Sequence, residues 1–140
     1  MNQTALILSS VAMFTLTICC LFFMGYSRFR AIRAGEVRIS FFRTYDEGSQ
    51  PKRLHLISRH VQNHFEVPPL FHIAVLLNVF AGATTTAALV CAWAFVAARV
   101  AHTAIHLGSN NVSRRFFVFG FSLLMLLGLM INLTVHLLRS

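Results

Sequence analysis

The sequence predicts an all-α integral membrane protein folded as a four-helix bundle, and three observations carry that prediction. Thr4 to Tyr26 is a run of 23 residues without a charge, a proline or an amide, and about 20 apolar residues in helix span the hydrocarbon core of a bilayer. Two further uncharged runs follow, Val67 to Ala98 and Phe116 to Leu138. Of the 140 residues 56% are hydrophobic and only 11% charged, where a soluble domain carries roughly a quarter charged residues.

The first helix is expected over about residues 4–34. It is read as a permanent span: Met1-Asn2-Gln3 offers no basic n-region, and the run leaves through Phe22-Phe23-Met24 without the small residues of a cleavage site. The loop from Ser27 to Leu56 holds Gly35 and the turn cluster Asp46-Glu47-Gly48-Ser49-Gln50-Pro51. The second helix is expected over 56–80, with a kink where Pro68 and Pro69 interrupt the hydrogen-bond ladder. The 32 residues from Val67 to Ala98 are too many for one ordinary span, and Gly82 with Thr84-Thr85-Thr86 marks the break, so the third helix is placed over 85–107. A turn at Gly108-Ser109-Asn110-Asn111-Val112-Ser113, with Ser113 as the expected cap, precedes the fourth helix over 114–138. No repeat or second composition breaks the chain, and residues 1–140 are read as one domain.

Charge sets the topology. Twelve Lys and Arg face four Asp and Glu, and eight of the twelve fall between Arg28 and Arg59, as the positive-inside rule expects of a cytoplasmic loop. Four spans put Arg114-Arg115 on that same side and leave the Gly82 turn uncharged on the other, whereas three spans would separate the arginines. Both termini then face away from the cytoplasm. The basic residues flank spans and form no solvated, aromatic-interleaved stripe, so no nucleic acid partner is expected. The short loops and the lack of a targeting tail favour a bacterial inner membrane, with the endoplasmic reticulum second. Cys19, Cys20 and Cys91 lie in apolar runs and are expected to pack as small hydrophobes.

Polar residues inside a span are costly and are functional candidates by default. Arg59, Asn63 and Glu66 follow at spacings of four and three, which puts them on one helix face. Arg99, His102 and His106 form a similar stripe on the third helix. With Arg114-Arg115 opening the fourth helix and Arg28, Arg30 and Arg33 closing the first, every helix brings polar groups to the cytoplasmic end. A ligand site there competes with a purely structural Glu66 ion pair to Arg59 or Arg99. Four helices enclose little, so a neighbouring protomer would complete such a site. The pairs His60/His64 and His102/His106 have the i, i+4 spacing of a shared metal. Seven histidines produce such pairs by chance, so the reading assigns no metal and keeps a haem or metal-binding bundle as an alternative. Asn132 and His136 are expected to hydrogen-bond between helices, and Gly120 and Gly128 to allow close packing.

The segment Arg59-His60-Val61-Gln62-Asn63-His64-Phe65-Glu66-Val67-Pro68-Pro69-Leu70-Phe71 resembles the second-helix signature of the MAPEG family, the membrane-associated proteins in eicosanoid and glutathione metabolism. The order of elements is similar too: a long basic first loop, Ala98-Arg99 on the third helix, and an arginine pair opening the fourth. The resemblance implies a homotrimer that binds glutathione, as co-substrate, between protomers near the cytoplasmic side. It implies contacts from Arg59, Asn63, Glu66 and Arg99, from His102 and His106, and from Arg30 or Arg33 reaching across. It further implies that Arg114, with Arg115 as near rival, stabilises the glutathione thiolate for attack on a lipophilic small molecule arriving through the bilayer. A cation at a helix N-terminus favours a thiolate, which makes the role chemically sensible. In the leukotriene-synthase branch two tyrosines follow the third-helix arginine; here His102 and His106 stand there. The family also includes a lipid-binding member without transferase activity, so a glutathione transferase or peroxidase is expected, with a non-catalytic lipid-binding or scaffold protein as the alternative.

Overall fold

The computed structural model describes residues 2–45 and 48–139, all-helical with no strand among them; Asp46 and Glu47 of the expected turn cluster lie outside the described residues. The elements are α1 (Asn2–Arg33), α2 (Phe41–Thr44), α3 (Lys52–Glu66), α4 (Pro68–Phe80), α5 (Thr86–Leu107) and α6 (Val112–Arg139). Of these, α1, α5 and α6 are each long and apolar enough to cross a membrane. Their outward faces carry bare apolar side chains such as Phe22, Phe116 and Leu138, which water would not tolerate over such an area but lipid does.

The expected second helix is present as α3 and α4, which meet at Val67. Pro68 and Pro69 have no N–H to give back to the preceding turn. Val67 nonetheless keeps helical torsions, at φ −100° and ψ −45°, and its carbonyl accepts from the Phe71 N–H at 3.2 Å. The two helices therefore follow one another through a kink, α3 amphipathic and α4 apolar.

Packing is closest between α5 and α6, with α1 and the α3–α4 pair closing the bundle. Leu6 and Met13 of α1, Phe71 and Val75 of α4, Ala88, Ala92 and Phe95 of α5, and Leu129 of α6 make the core. Phe71 and Phe95 stack with centroids 4.2 Å apart. At Gly128 an added Cβ would lie 2.7 Å from Cys91 Sγ, so any other residue there has to displace that sulfur. Gly120 has open space within this single chain.

The end of the bundle holding the α4–α5 turn is sealed by hydrogen bonds. Asn132 Nδ2 donates to Asn78 Oδ1 at 2.8 Å and to the Ala83 carbonyl at 2.9 Å, and Thr85 Oγ1 donates to Asn132 Oδ1 at 2.6 Å. His136 Nε2 contacts the Ala81 carbonyl at 3.0 Å, and Asn2 Nδ2 donates to the Thr84 carbonyl at 3.2 Å. Asn132 and His136 thus bond between helices, as expected. Gly82 turns the chain at φ +73°, and Thr85 caps α5 by accepting from the Ala88 N–H at 3.1 Å.

The opposite end is basic. There α6 is capped by Asn111, whose Oδ1 accepts from the Arg114 N–H at 3.0 Å. The cap expected at Ser113 is displaced because Asn110 takes a left-handed φ of 48° and starts the helix at Val112, which places Ser113 already inside the first turn. Arg28 lies 5.1 Å from the Phe42 ring centroid and 5.9 Å from that of Tyr45, so this arginine holds the loop against the end of α1.

Candidate functional site

Three helix faces converge in the basic half of the bundle, and each is an i, i+3/i+4 stripe. From α1 come Thr17 and Cys20, continuing the inward line Leu6, Ser9 and Met13. From α3 come His60 and His64, and from α5 come Arg99, His102 and His106. Arg99 and His60 are fully buried, and His64, His102 and His106 are no more than 2% exposed.

The histidines form a contiguous cluster. His60 Nδ1 lies 3.2 Å from His106 Nδ1, and His60 Nε2 lies 3.2 Å from His64 Nε2. His64 Nδ1 is 3.0 Å from Thr17 Oγ1, whose hydroxyl donates to the Met13 carbonyl at 3.1 Å. Cys20 Sγ stands 3.7 Å from both His60 Nε2 and His64 Nε2. The ring of His102 stacks on that of His60 with centroids 5.7 Å apart.

Arg99 is the largest fully buried side chain among the described residues. Its Nη2 donates to the Asn63 carbonyl at 3.1 Å, and its guanidinium lies 5.7 Å from the Phe119 ring centroid. Nε and Nη1 have no partner among the described residues, and neither do His102 Nδ1 and His106 Nε2. A buried cation with two idle donors is expensive, because the desolvation of each unpaired polar group is uncompensated. Such an arrangement carries the kind of donors that a carboxylate can use together.

The stripe expected from Arg59, Asn63 and Glu66 is only partly drawn into this cluster. The inward face of α3 is the His60/His64 face; Asn63 is half-buried at its edge, and Arg59 and Glu66 are exposed. Asn63 and His102 line a cavity of about 220 Å³ with Arg115, Phe116 and Phe119. Arg59 lines a separate basin of about 950 Å³ with Arg28, Lys52, His55, Gln62 and Asn110. Arg30 is exposed and lines a third hollow beside Tyr26 and Arg53. Of the α6 arginines, Arg114 is exposed, whereas Arg115 faces the Asn63–His102 cavity and donates from Nη1 to Asn110 Oδ1 at 2.9 Å. The single chain therefore brings together Arg99, His102, His106 and Asn63, and holds Arg59, Glu66, Arg30 and Arg114 at its surface.

The pairing of His60 with His64 was legible in their spacing, whereas Cys20, read as a small hydrophobe, is the contribution that sequence reasoning did not place. The signal was present in the spacing of Leu6, Ser9, Met13 and Cys20, which fall on one face of α1.

No curated protein sequence and no solved structure matches the chain. The sequence model of the MAPEG family matches residues 6–135, nearly the whole chain. A fold of membrane-length helices with a buried third-helix arginine, joined to that match, establishes that the chain belongs to the MAPEG family.

Proposed function

We propose that this protein is a membrane-bound glutathione-binding protein acting as a glutathione transferase or peroxidase on a lipophilic electrophile. Family membership supports the coarser role, a membrane protein of glutathione or eicosanoid metabolism. The observation that carries the finer reading is Arg99, fully buried with Nε and Nη1 unpartnered beside His102 Nδ1 and His106 Nε2. Glutathione brings two carboxylates for Arg99 and Arg59 and an ammonium for Glu66, with Asn63, His102 and His106 as hydrogen-bonding neighbours. Near its reference pKa of about 8.5 a thiol is mostly protonated at neutral pH, and a cation at the start of α6 favours the thiolate that attacks an electrophile. The resemblance gives that role to Arg114 with Arg115 as near rival, and the Asn63–His102 cavity that Arg115 faces favours Arg115.

The proposal includes a homotrimer with the site shared between protomers. Its supports are the exposure of Arg30, Arg59, Glu66 and Arg114 in the single chain and an open apolar groove between α5 and α6. That groove is floored by Ala94, Ala97, Ala98, Ala101 and Gly120, small residues that let a neighbouring transmembrane helix approach closely. In this reading α3 and α4 together make the fourth crossing, the basic end is cytoplasmic, and a bacterial inner membrane is the setting.

The test is the rate at which purified protein conjugates glutathione to a chloronitrobenzene. A rate above the uncatalysed reaction is expected. Retained glutathione binding with no rate enhancement would replace the transferase by the non-catalytic reading, which the commitment of His106 Nδ1 to His60 favours.

A further inference from the structure

The glutathione reading leaves Cys20, His60 and His64 without a task, although they are buried and converge on one point. We propose that Cys20 Sγ, His60 Nε2 and His64 Nε2 form a binding site for a single copper(I) ion inside the bundle.

The distances carry the argument. An ion held by one sulfur at about 2.3 Å and two imidazole nitrogens at about 2.0 Å, with three ligands spread at about 120°, sets sulfur–nitrogen edges of about 3.7 Å and a nitrogen–nitrogen edge of about 3.5 Å. The chain presents 3.7, 3.7 and 3.2 Å for these three edges. A chain of hydrogen-bonded imidazoles accounts for the nitrogen contact alone. Each Nε2 offers one proton or one lone pair, so once the two nitrogens pair with each other nothing remains for a thiol equidistant from both. A cation between the three atoms uses all of them.

The outer partners agree. A ligating histidine donates its other ring N–H to an acceptor that fixes its tautomer. With Nε2 of His64 on the ion, its Nδ1–H donates to Thr17 Oγ1, and with Nε2 of His60 on the ion, its Nδ1–H donates to His106 Nδ1. Charge chooses the ion. One thiolate and two neutral imidazoles balance a monovalent cation, whereas a divalent one leaves a net positive charge in an apolar interior with Arg99 within electrostatic reach of Cys20. Thiolate and imidazole together suit soft copper(I).

The experiment titrates the full-length protein, purified in detergent without glutathione, with copper(I) under ascorbate and a bicinchoninate competitor. In parallel it titrates zinc(II), and X-ray absorption reads the ligand shell. Expected are one copper(I) per chain, a shell of one sulfur and two nitrogens, at least hundredfold weaker binding in Cys20→Ser, about tenfold weaker in Thr17→Val, and unchanged binding in Cys19→Ser and Cys91→Ser. Substoichiometric binding, a shell without sulfur, full affinity in Cys20→Ser, or preference for zinc(II) overturns the proposal. The stoichiometry and the shell are read on the wild type, so the outcome does not depend on a variant folding. Because glutathione is absent, a negative result leaves the glutathione reading standing.

Discussion

Replacing Arg99 by methionine separates an arginine kept for a ligand from one kept for the fold. Methionine preserves most of the volume and removes the charge. Among the described residues the guanidinium makes one hydrogen bond, to the Asn63 carbonyl, and leaves Nε and Nη1 unpaired at zero exposure. Losing this charge-assisted bond costs about 1.5–3 kcal/mol, while removing two idle donors recovers about 1–3 kcal/mol for each. The ligand-free variant is therefore expected to be at least as stable as wild type, as when buried charges give way to packed apolar groups. With glutathione the sign reverses. Two lost charge-assisted hydrogen bonds at about 1.5 kcal/mol each weaken affinity by roughly a hundredfold. The assay is thermal unfolding in detergent with and without glutathione, beside calorimetry. A variant that melts several degrees lower without ligand and binds glutathione as tightly as wild type would refute the reasoning and make Arg99 a structural residue.

Other predictions follow from packing and from the site. Gly128→Ala drives a methyl to 2.7 Å from Cys91 Sγ and is expected to cost about 1–3 kcal/mol; Cys91→Ala in the same chain should restore most of the loss in the unfolding transition. Asn132→Leu removes the bonds to Asn78, Ala83 and Thr85, and at about 0.6 kcal/mol per bond in a membrane protein the expected loss is about 2 kcal/mol, read by thermal unfolding with glutathione binding unchanged. Arg115→Ala is expected to lower the conjugation rate at least tenfold with little change in glutathione affinity, since Arg115 faces the cavity beside His102; a loss confined to Arg114→Ala would instead place the thiolate at the exposed arginine and at a protomer boundary.

Hydropathy made the three membrane-length helices α1, α5 and α6 legible and charge the basic end, because neither property needs a partner. The α3–α4 kink was legible in Pro68-Pro69, and the helix-to-helix role of Asn132 and His136 in their polarity within an apolar run. The inward face of α3 was not. Spacing places Arg59, Asn63 and Glu66 on one face and His60 and His64 on another, but it does not say which face a single chain buries. The fold buries the imidazoles and leaves Arg59 and Glu66 outside. Imidazoles are the easier groups to desolvate, being able to stay neutral and satisfy one another, whereas a charge on either of the others would need its own counter-ion. Cys20 was hidden for a different reason: in an apolar run a thiol reads as a small hydrophobe until the histidines facing it are known. The cap at Asn111 in place of Ser113 turned on one left-handed residue, Asn110.

We propose above that glutathione is held through Arg99 and the second-helix stripe Arg59, Asn63 and Glu66. Calorimetric titration of glutathione into the purified protein, wild type beside Arg59→Ala and Glu66→Gln, tests it most directly. The account predicts saturable binding by the wild type and at least tenfold weaker binding in each variant; unchanged affinity in both, or no binding by the wild type, would contradict it.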